Sequence, residues 1–170
     1  MTIQHTPRNR RQQLMGLAGW IALCYLTAAA GAMASANARD FYAGLVQPDW
    51  APPGWLFGPV WTVLFTLMAI AAWLVWRAPV EPSDRRRALG LFVVQLVANA
   101  LWSWLFFAWQ KGGWAFAEVI VFWLLIAATC AAFWRIRPLA GLLLLPYLAW
   151  VAFAAYLNWV LWQANPAILG

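Results

Sequence analysis

The chain has 170 residues, of which 65% are hydrophobic and 9% charged, whereas soluble domains carry about a quarter charged residues, so a water-soluble fold is excluded. Its net charge of +6 comes from short arginine clusters beside apolar runs, not from the folded basic surface that a nucleic-acid partner needs, and no such partner is expected. What remains is an all-α membrane protein, a five-transmembrane-helix bundle: each apolar run reaches the ~20 residues that cross ~30 Å of hydrocarbon, without the short alternating segments of a membrane barrel.

Residues 1–13, MTIQHTPRNRRQQ, read as a polar, basic, disordered tail. One transmembrane domain follows over 14–166, with helices at about 14–36, 55–77, 87–110, 113–134 and 138–162. The first run is longer than a signal-peptide core, so it reads as a true span. It is dense in small residues, with Gly16 and Gly19 at one end and Ala28, Ala29, Ala30, Gly31, Ala32 and Ala34 at the other. Such faces let helix backbones approach closely, within the bundle or across a dimer contact. The first loop runs into the second helix through QPDWAPPGWLFGPVW, residues 47–61, with three tryptophans and four prolines. The second loop, RAPVEPSDRRR, offers Ser83 or Asp84 as a cap for the third helix. Lys111, Gly112 and Gly113 form a tight turn, and Pro138 suits the first position of the last helix. Loops this short make helices two to five adjacent antiparallel neighbours.

Nine arginines (Arg8, Arg10, Arg11, Arg77, Arg85, Arg86, Arg87, Arg135 and Arg137) fall on one side of an odd-numbered bundle, and only Arg39 and Lys111 on the other. The positive-inside rule then makes the N-terminus cytoplasmic and turns the first loop and the C-terminus outward, in a bacterial cell envelope. Cys24 and Cys130 lie inside spans, and His5, the only histidine, lies in the tail. Neither a metal site, a disulfide nor a cofactor is expected from them.

Fifteen tryptophans sort by depth. Trp20, Trp73, Trp76, Trp134, Trp55, Trp109, Trp114, Trp159 and Trp162 fit the two interfacial belts, where indoles anchor helices. Four lie deeper: at 1.5 Å per residue, Trp123 and Trp150 fall near the midplane and Trp61 and Trp102 roughly 9–12 Å below the outer boundary. Trp123 has no polar neighbour at helical spacing and reads as packing or lipid-facing. The others share stripes with sparse hydrogen-bonding groups. In the third helix these are Gln95, Asn99, Trp102, Ser103 and Phe106; in the fifth, Tyr147, Trp150, Ala154, Leu157 and Asn158; in the second, Trp61, Phe65 and Met68. Taken singly, the amides are interhelical glue. Together with the deep indoles they describe the wall of a pocket for a flat, apolar molecule with a few polar atoms. Pro146 removes one hydrogen bond inside the fifth helix and is expected to bend it just before Tyr147. Glu118, the only carboxylate inside a span, lies where it caps, pairs with Lys111 or serves a proton-coupled exporter.

The same residues resemble a known family. Tyr42-Ala-Gly-Leu45, Pro48-x-Trp50-x-Pro52-Pro53-x-Trp55, Gly58-Pro59-Val60-Trp61, Asn99-x-x-Trp102 and the run from Pro146-Tyr147 through Trp150, Phe153 and Ala154 to Leu157-Asn158 are similar to the tryptophan-rich sensory protein / translocator protein (TspO/MBR, peripheral benzodiazepine receptor) family. The likeness runs from about residue 37 to residue 166. It implies a five-helix bundle, usually a homodimer in membrane lipid, that binds porphyrins and haem intermediates, benzodiazepine-type drugs and, in animals, cholesterol. It implies a pocket lined by Tyr42, Trp50, Trp61, Phe65, Asn99, Trp102, Phe106, Tyr147, Trp150, Ala154 and Leu157, with Trp50 and Trp55 closing an apolar lid. The resulting expectation is a receptor or carrier acting in tetrapyrrole transport, sensing or regulation. The alternative is a light-dependent protoporphyrin-degrading enzyme with Trp61 and Trp150 as electron donors. The sterol element of animal members, a tyrosine followed by a basic residue, has no counterpart after Tyr156.

Overall fold

A computed structural model describes residues 9–170, so residues 1–8, with His5, Arg8 and most of the expected tail, lie outside the described residues. Seven α-helices follow in chain order: α1 (Arg10–Ala34), α2 (Ala38–Ala43), α3 (Phe57–Trp76), α4 (Pro82–Ser103), α5 (Gly112–Ile136), α6 (Pro138–Ala164) and α7 (Pro166–Leu169). A 3-10 turn at Gly54–Leu56 leads into α3, and a π-helical turn at Trp104–Ala108 prolongs α4. There is no strand among the described residues. Five helical stretches, Arg10–Ala34, Gly54–Trp76, Pro82–Ala108, Gly112–Ile136 and Pro138–Ala164, are long and apolar enough to cross a bilayer.

Helix ends follow local chemistry more closely than hydropathy. The α1 helix starts at Arg10, inside the stretch expected to be a tail, because Asn9 and Gln12 form a capping box: Gln12 N–H donates to Asn9 Oδ1 at 2.9 Å and Asn9 N–H to Gln12 Oε1 at 3.0 Å. The α4 helix opens on Pro82 with Glu81 at its N-cap. Ser83 and Asp84 therefore stand inside the first turn and do not cap it. Proline at the first helical position lacks only an N–H that would be unpaired there, and Pro138 and Pro166 open α6 and α7 the same way. The α6 helix runs unbroken through Pro146.

The helices pack in the ring α1–α3–α6–α5–α4–α1, with α3 and α4 touching only sparsely. Consecutive spans are thus neighbours along α4, α5 and α6, but α1 sits between α3 and α4. The 77–81 connection, reaching roughly 17 Å when extended, is long enough to step over one helix at the usual 8–10 Å spacing. The small face of α1 makes that place usable: a Cβ on Gly31 would lie 3.2 Å from Ser103 Oγ of α4. Apart from Cys24 and Ala34, no α1 side chain is fully buried, as suits a helix at the bundle's perimeter.

At the end away from the first loop the interior is packed with aromatic and aliphatic side chains. Phe92 stacks on Phe133 with centroids 5.6 Å apart, Trp20 meets Phe92 edge-on at 5.8 Å, and Met68, Ile126 and Leu144 are buried beside them. At the loop end a second cluster gathers Tyr42, Leu45, Phe106, Leu157, Leu161 and Leu169. A cavity opens next to this second cluster.

Candidate ligand-binding chamber

Four spans and the first loop enclose a cavity of about 530 Å³. Trp61 and Phe65 come from α3, Asn99 and Trp102 from α4, Phe106 from the π turn, Trp150, Ala154 and Leu157 from α6, and Tyr42 from α2. These nine sequence-predicted residues share one chamber. Single 3.6-residue stripes on α4 and α6 place theirs. The π turn, in which Trp109 N–H donates to Trp104 O at 2.8 Å, shifts the helix phase. Phe106 and its chain neighbour Phe107 then both face the cavity.

Two predicted residues do not line it. Tyr147 is fully buried, its hydroxyl donating to Gln95 Oε1 at 2.8 Å and accepting from Asn99 Nδ2 at 3.0 Å. Its ring meets Trp61 edge-on at 6.1 Å, so it supports the wall from behind. Gln95, from the same α4 stripe, is likewise off the lining. Trp50 lies outside, stacked on Tyr156 with centroids 5.2 Å apart and planes 13° apart, and edge-on to Phe153. The exposed lining residues from this part of the chain are Arg39, Gly54 and Trp55 instead. Trp50 is held instead by these aromatic contacts on α6.

The amides act as both glue and wall. Trp102 Nε1–H donates to Asn158 Oδ1 at 3.1 Å, and Asn158 Nδ2 to the Gly112 carbonyl at 3.1 Å. Gly112 permits that approach, since a Cβ there would stand 2.9 Å from Leu169 Cβ and 3.1 Å from Trp162 Cβ. Trp123, which has no polar neighbour on its own helix, donates to the Leu148 carbonyl of α6 at 3.1 Å. Trp150 lines the chamber, yet its Nε1–H is covered and has no acceptor among the described residues. Glu118 is off the lining, and its buried Oε2 has no hydrogen-bond partner among the described residues.

Several wall residues were not read as wall from the sequence. Tyr25, Ala28, Gly31 and Ala32 bring α1 into the lining, and the run of small residues is the only trace of it. Tyr25 also ties α1 to α3 through a 2.9 Å hydrogen bond with Thr66 Oγ1. The loop is fixed by Tyr42 together with two side chains unmarked in the sequence, Asn165 and Gln47. Asn165 accepts from Val46 N–H at 2.8 Å and donates to Val46 O at 3.0 Å and Leu161 O at 2.8 Å. Tyr42 donates to Pro52 O at 3.1 Å, and Gln47 Nε2 to Tyr42 O. Burial raises the Tyr42 hydroxyl pKa above its ordinary 10.0.

Chemically the chamber offers aromatic faces, aliphatic walls and few polar atoms. No three His, Cys, Asp or Glu side chains among the described residues are grouped to hold a metal ion. Comparison with known proteins agrees in extent with the fold. The sequence model of the TspO/MBR family matches residues 20–163. The chain is similar to the tryptophan-rich protein TspO of Chlorobaculum tepidum, 39% identical over 91% of this chain and 99% of that one. It is similar to the tryptophan-rich sensory protein of Cereibacter sphaeroides, 38% identical over 86% of this chain and 92% of that one. It is also similar to the translocator protein of Homo sapiens, 40% identical over 74% of this chain and 75% of that one.

Proposed function

The chain belongs to the TspO/MBR family of multi-pass membrane proteins, and from that membership together with the chamber we propose a receptor or carrier for flat, hydrophobic ligands. The ligand class is porphyrins and haem intermediates, with benzodiazepine-type drugs fitting the same walls, and the role is tetrapyrrole transport, sensing or regulation. The observation that carries this reading is the convergence of Trp61, Trp102 and Trp150 from three spans on one cavity of about 530 Å³. That is within the ~300–1,000 Å³ range of small-molecule sites. The first loop caps the mouth. In the arrangement we propose, the N-terminus is cytoplasmic, the mouth faces outward from a bacterial cell envelope, and the protein is a homodimer.

Titrating the purified protein with protoporphyrin, read by quenching of tryptophan fluorescence, tests this. Ala154 faces the chamber and is 8% exposed, so Ala154→Phe puts a ring into the ligand volume. Saturable quenching by the parent and at least tenfold weaker binding by a folded Ala154→Phe variant are expected; equal affinities would place the ligand elsewhere. A second reading, light-dependent protoporphyrin degradation, is favoured by Trp61 and Trp150 lining the same space as electron donors. Illumination that yields no new absorbing product, or the same product after both become Phe, removes it.

A further inference from the structure

The polar side chains around the chamber are largely committed to the protein itself. Tyr42 Oη donates to Pro52 O, Thr62 Oγ1 to Gly58 O at 2.9 Å, Ser35 Oγ to Gly31 O at 2.9 Å, and Trp102 Nε1 to Asn158. One lining residue is ionised, and it is Arg39. It stands on α2 three positions before Tyr42, which puts both on one helical face, with Arg39 exposed and Tyr42 buried. No carboxylate among the described residues forms an ion pair with it.

Its position runs against the charge pattern of the chain. Eight of the ten basic residues described lie at the opposite end of the bundle, and the bias that orients the spans gains nothing from an arginine here. A neutral ligand would leave this cation facing water. A ligand with a carboxylate at one edge would bury its apolar body in the chamber while the guanidinium, with paired N–H donors in a planar fork, holds the carboxylate in two parallel hydrogen bonds.

We propose that Arg39 is a specificity-determining residue that selects planar apolar ligands bearing a carboxylate, the ring system entering between Trp61, Trp102 and Trp150 and the carboxylate staying at the mouth on the guanidinium. This rests on the chamber being the ligand site. It excludes fully esterified or uncharged analogues as preferred ligands, and it makes affinity depend on salt, because an exposed ion pair is screened.

The test compares protoporphyrin with its dimethyl ester on the parent protein, Arg39→Gln and Arg39→Lys, by fluorescence quenching in one detergent at low and high salt. The Arg39 side chain makes no hydrogen bond or ion pair among the described residues, so neither substitution threatens folding. Arg39→Gln is expected to weaken the diacid about fivefold and leave the ester unchanged. Arg39→Lys should recover part of the loss, and added salt should weaken the diacid only where residue 39 is cationic. Binding of both probes by the parent with no change in Arg39→Gln overturns the anchor and leaves the chamber standing. Binding of neither probe by the parent overturns the chamber itself. Equal losses for diacid and ester would mean that Arg39 shapes the mouth, and would overturn carboxylate selection.

Discussion

Trp102 Nε1–H donates to Asn158 Oδ1 at 3.1 Å, tying the wall of the chamber on α4 to α6. Trp150, across the same cavity, has a covered N–H without an acceptor among the described residues. The two indoles therefore differ in what their nitrogen contributes. Replacing Trp102 by Phe removes a hydrogen bond and strands a buried amide oxygen, which costs about 1–2 kcal/mol beyond the lost ring area. Replacing Trp150 by Phe loses similar ring area and no hydrogen bond, and deletes an unpaired donor. Unfolding in one detergent should show Trp102→Phe less stable than Trp150→Phe by that margin; equal losses would deny the Trp102–Asn158 bond its weight.

Tyr147 holds Gln95 and Asn99 of α4 from the facing α6, with all three side chains buried. Phe at this position keeps the edge contacts with Trp61 and Phe122 but leaves Gln95 Oε1 and Asn99 Nδ2 without their partner. The loss is about 2–3 kcal/mol, since a stranded buried polar group costs ~1–3 kcal/mol. Adding Gln95→Leu should return part of it, because an apolar pair replaces an orphaned polar group. A double variant no more stable than Tyr147→Phe alone would show that Gln95 is satisfied elsewhere.

The spans were legible because hydrocarbon demands long apolar runs, and the α4 and α6 stripes because an amide in lipid must turn inward. Trp61, Asn99, Trp102, Trp150 and Ala154 could be placed on one wall for that reason. Ring order was not legible. Where both lipid-facing and packed surfaces are apolar, periodicity is silent about which neighbour a helix meets, and the place of α1 between α3 and α4 left no mark beyond Gly31 and its alanines. The partner of Trp123 is a backbone carbonyl on another helix, which no side-chain pattern encodes. The direction of Trp50 was not legible, because a proline-rich loop has no period from which to read it. Phe107 was missed because the π turn changes the period inside what reads as one helix.

Asn165, at the end of α6, binds both backbone groups of Val46 and so pins the first loop from a position far along the chain. Asn165→Ala removes that clamp without touching the chamber wall. The loop then opens locally at lower free energy than the bundle unfolds. Hydrogen exchange at the Val46 amide should speed by at least tenfold, the equivalent of ~1.4 kcal/mol of local stability, while amides within α5 and α6 keep their protection. Unchanged exchange at Val46 would mean that the loop's other contacts, Trp50 stacked on Tyr156 among them, hold it without Asn165.

The Tyr42 hydroxyl makes that same loop sensitive to alkali. Buried, and donating to Pro52 O, it keeps its proton above its ordinary pKa of 10.0 because burial disfavours the phenolate. A released loop would ionise at the ordinary value, so the docked form binds more protons between the two pKa values. Its stability is therefore full below pH 10.0 and falls as pH rises toward the docked value. The tyrosinate absorbance of the parent minus that of Tyr42→Phe isolates this group, and its midpoint should lie above 10.0. In an Asn165→Ala background, where the loop is released more often, the midpoint should move back toward the ordinary value. A midpoint at the ordinary value in the parent, or one that Asn165→Ala leaves in place, would separate Tyr42 ionisation from docking of the loop.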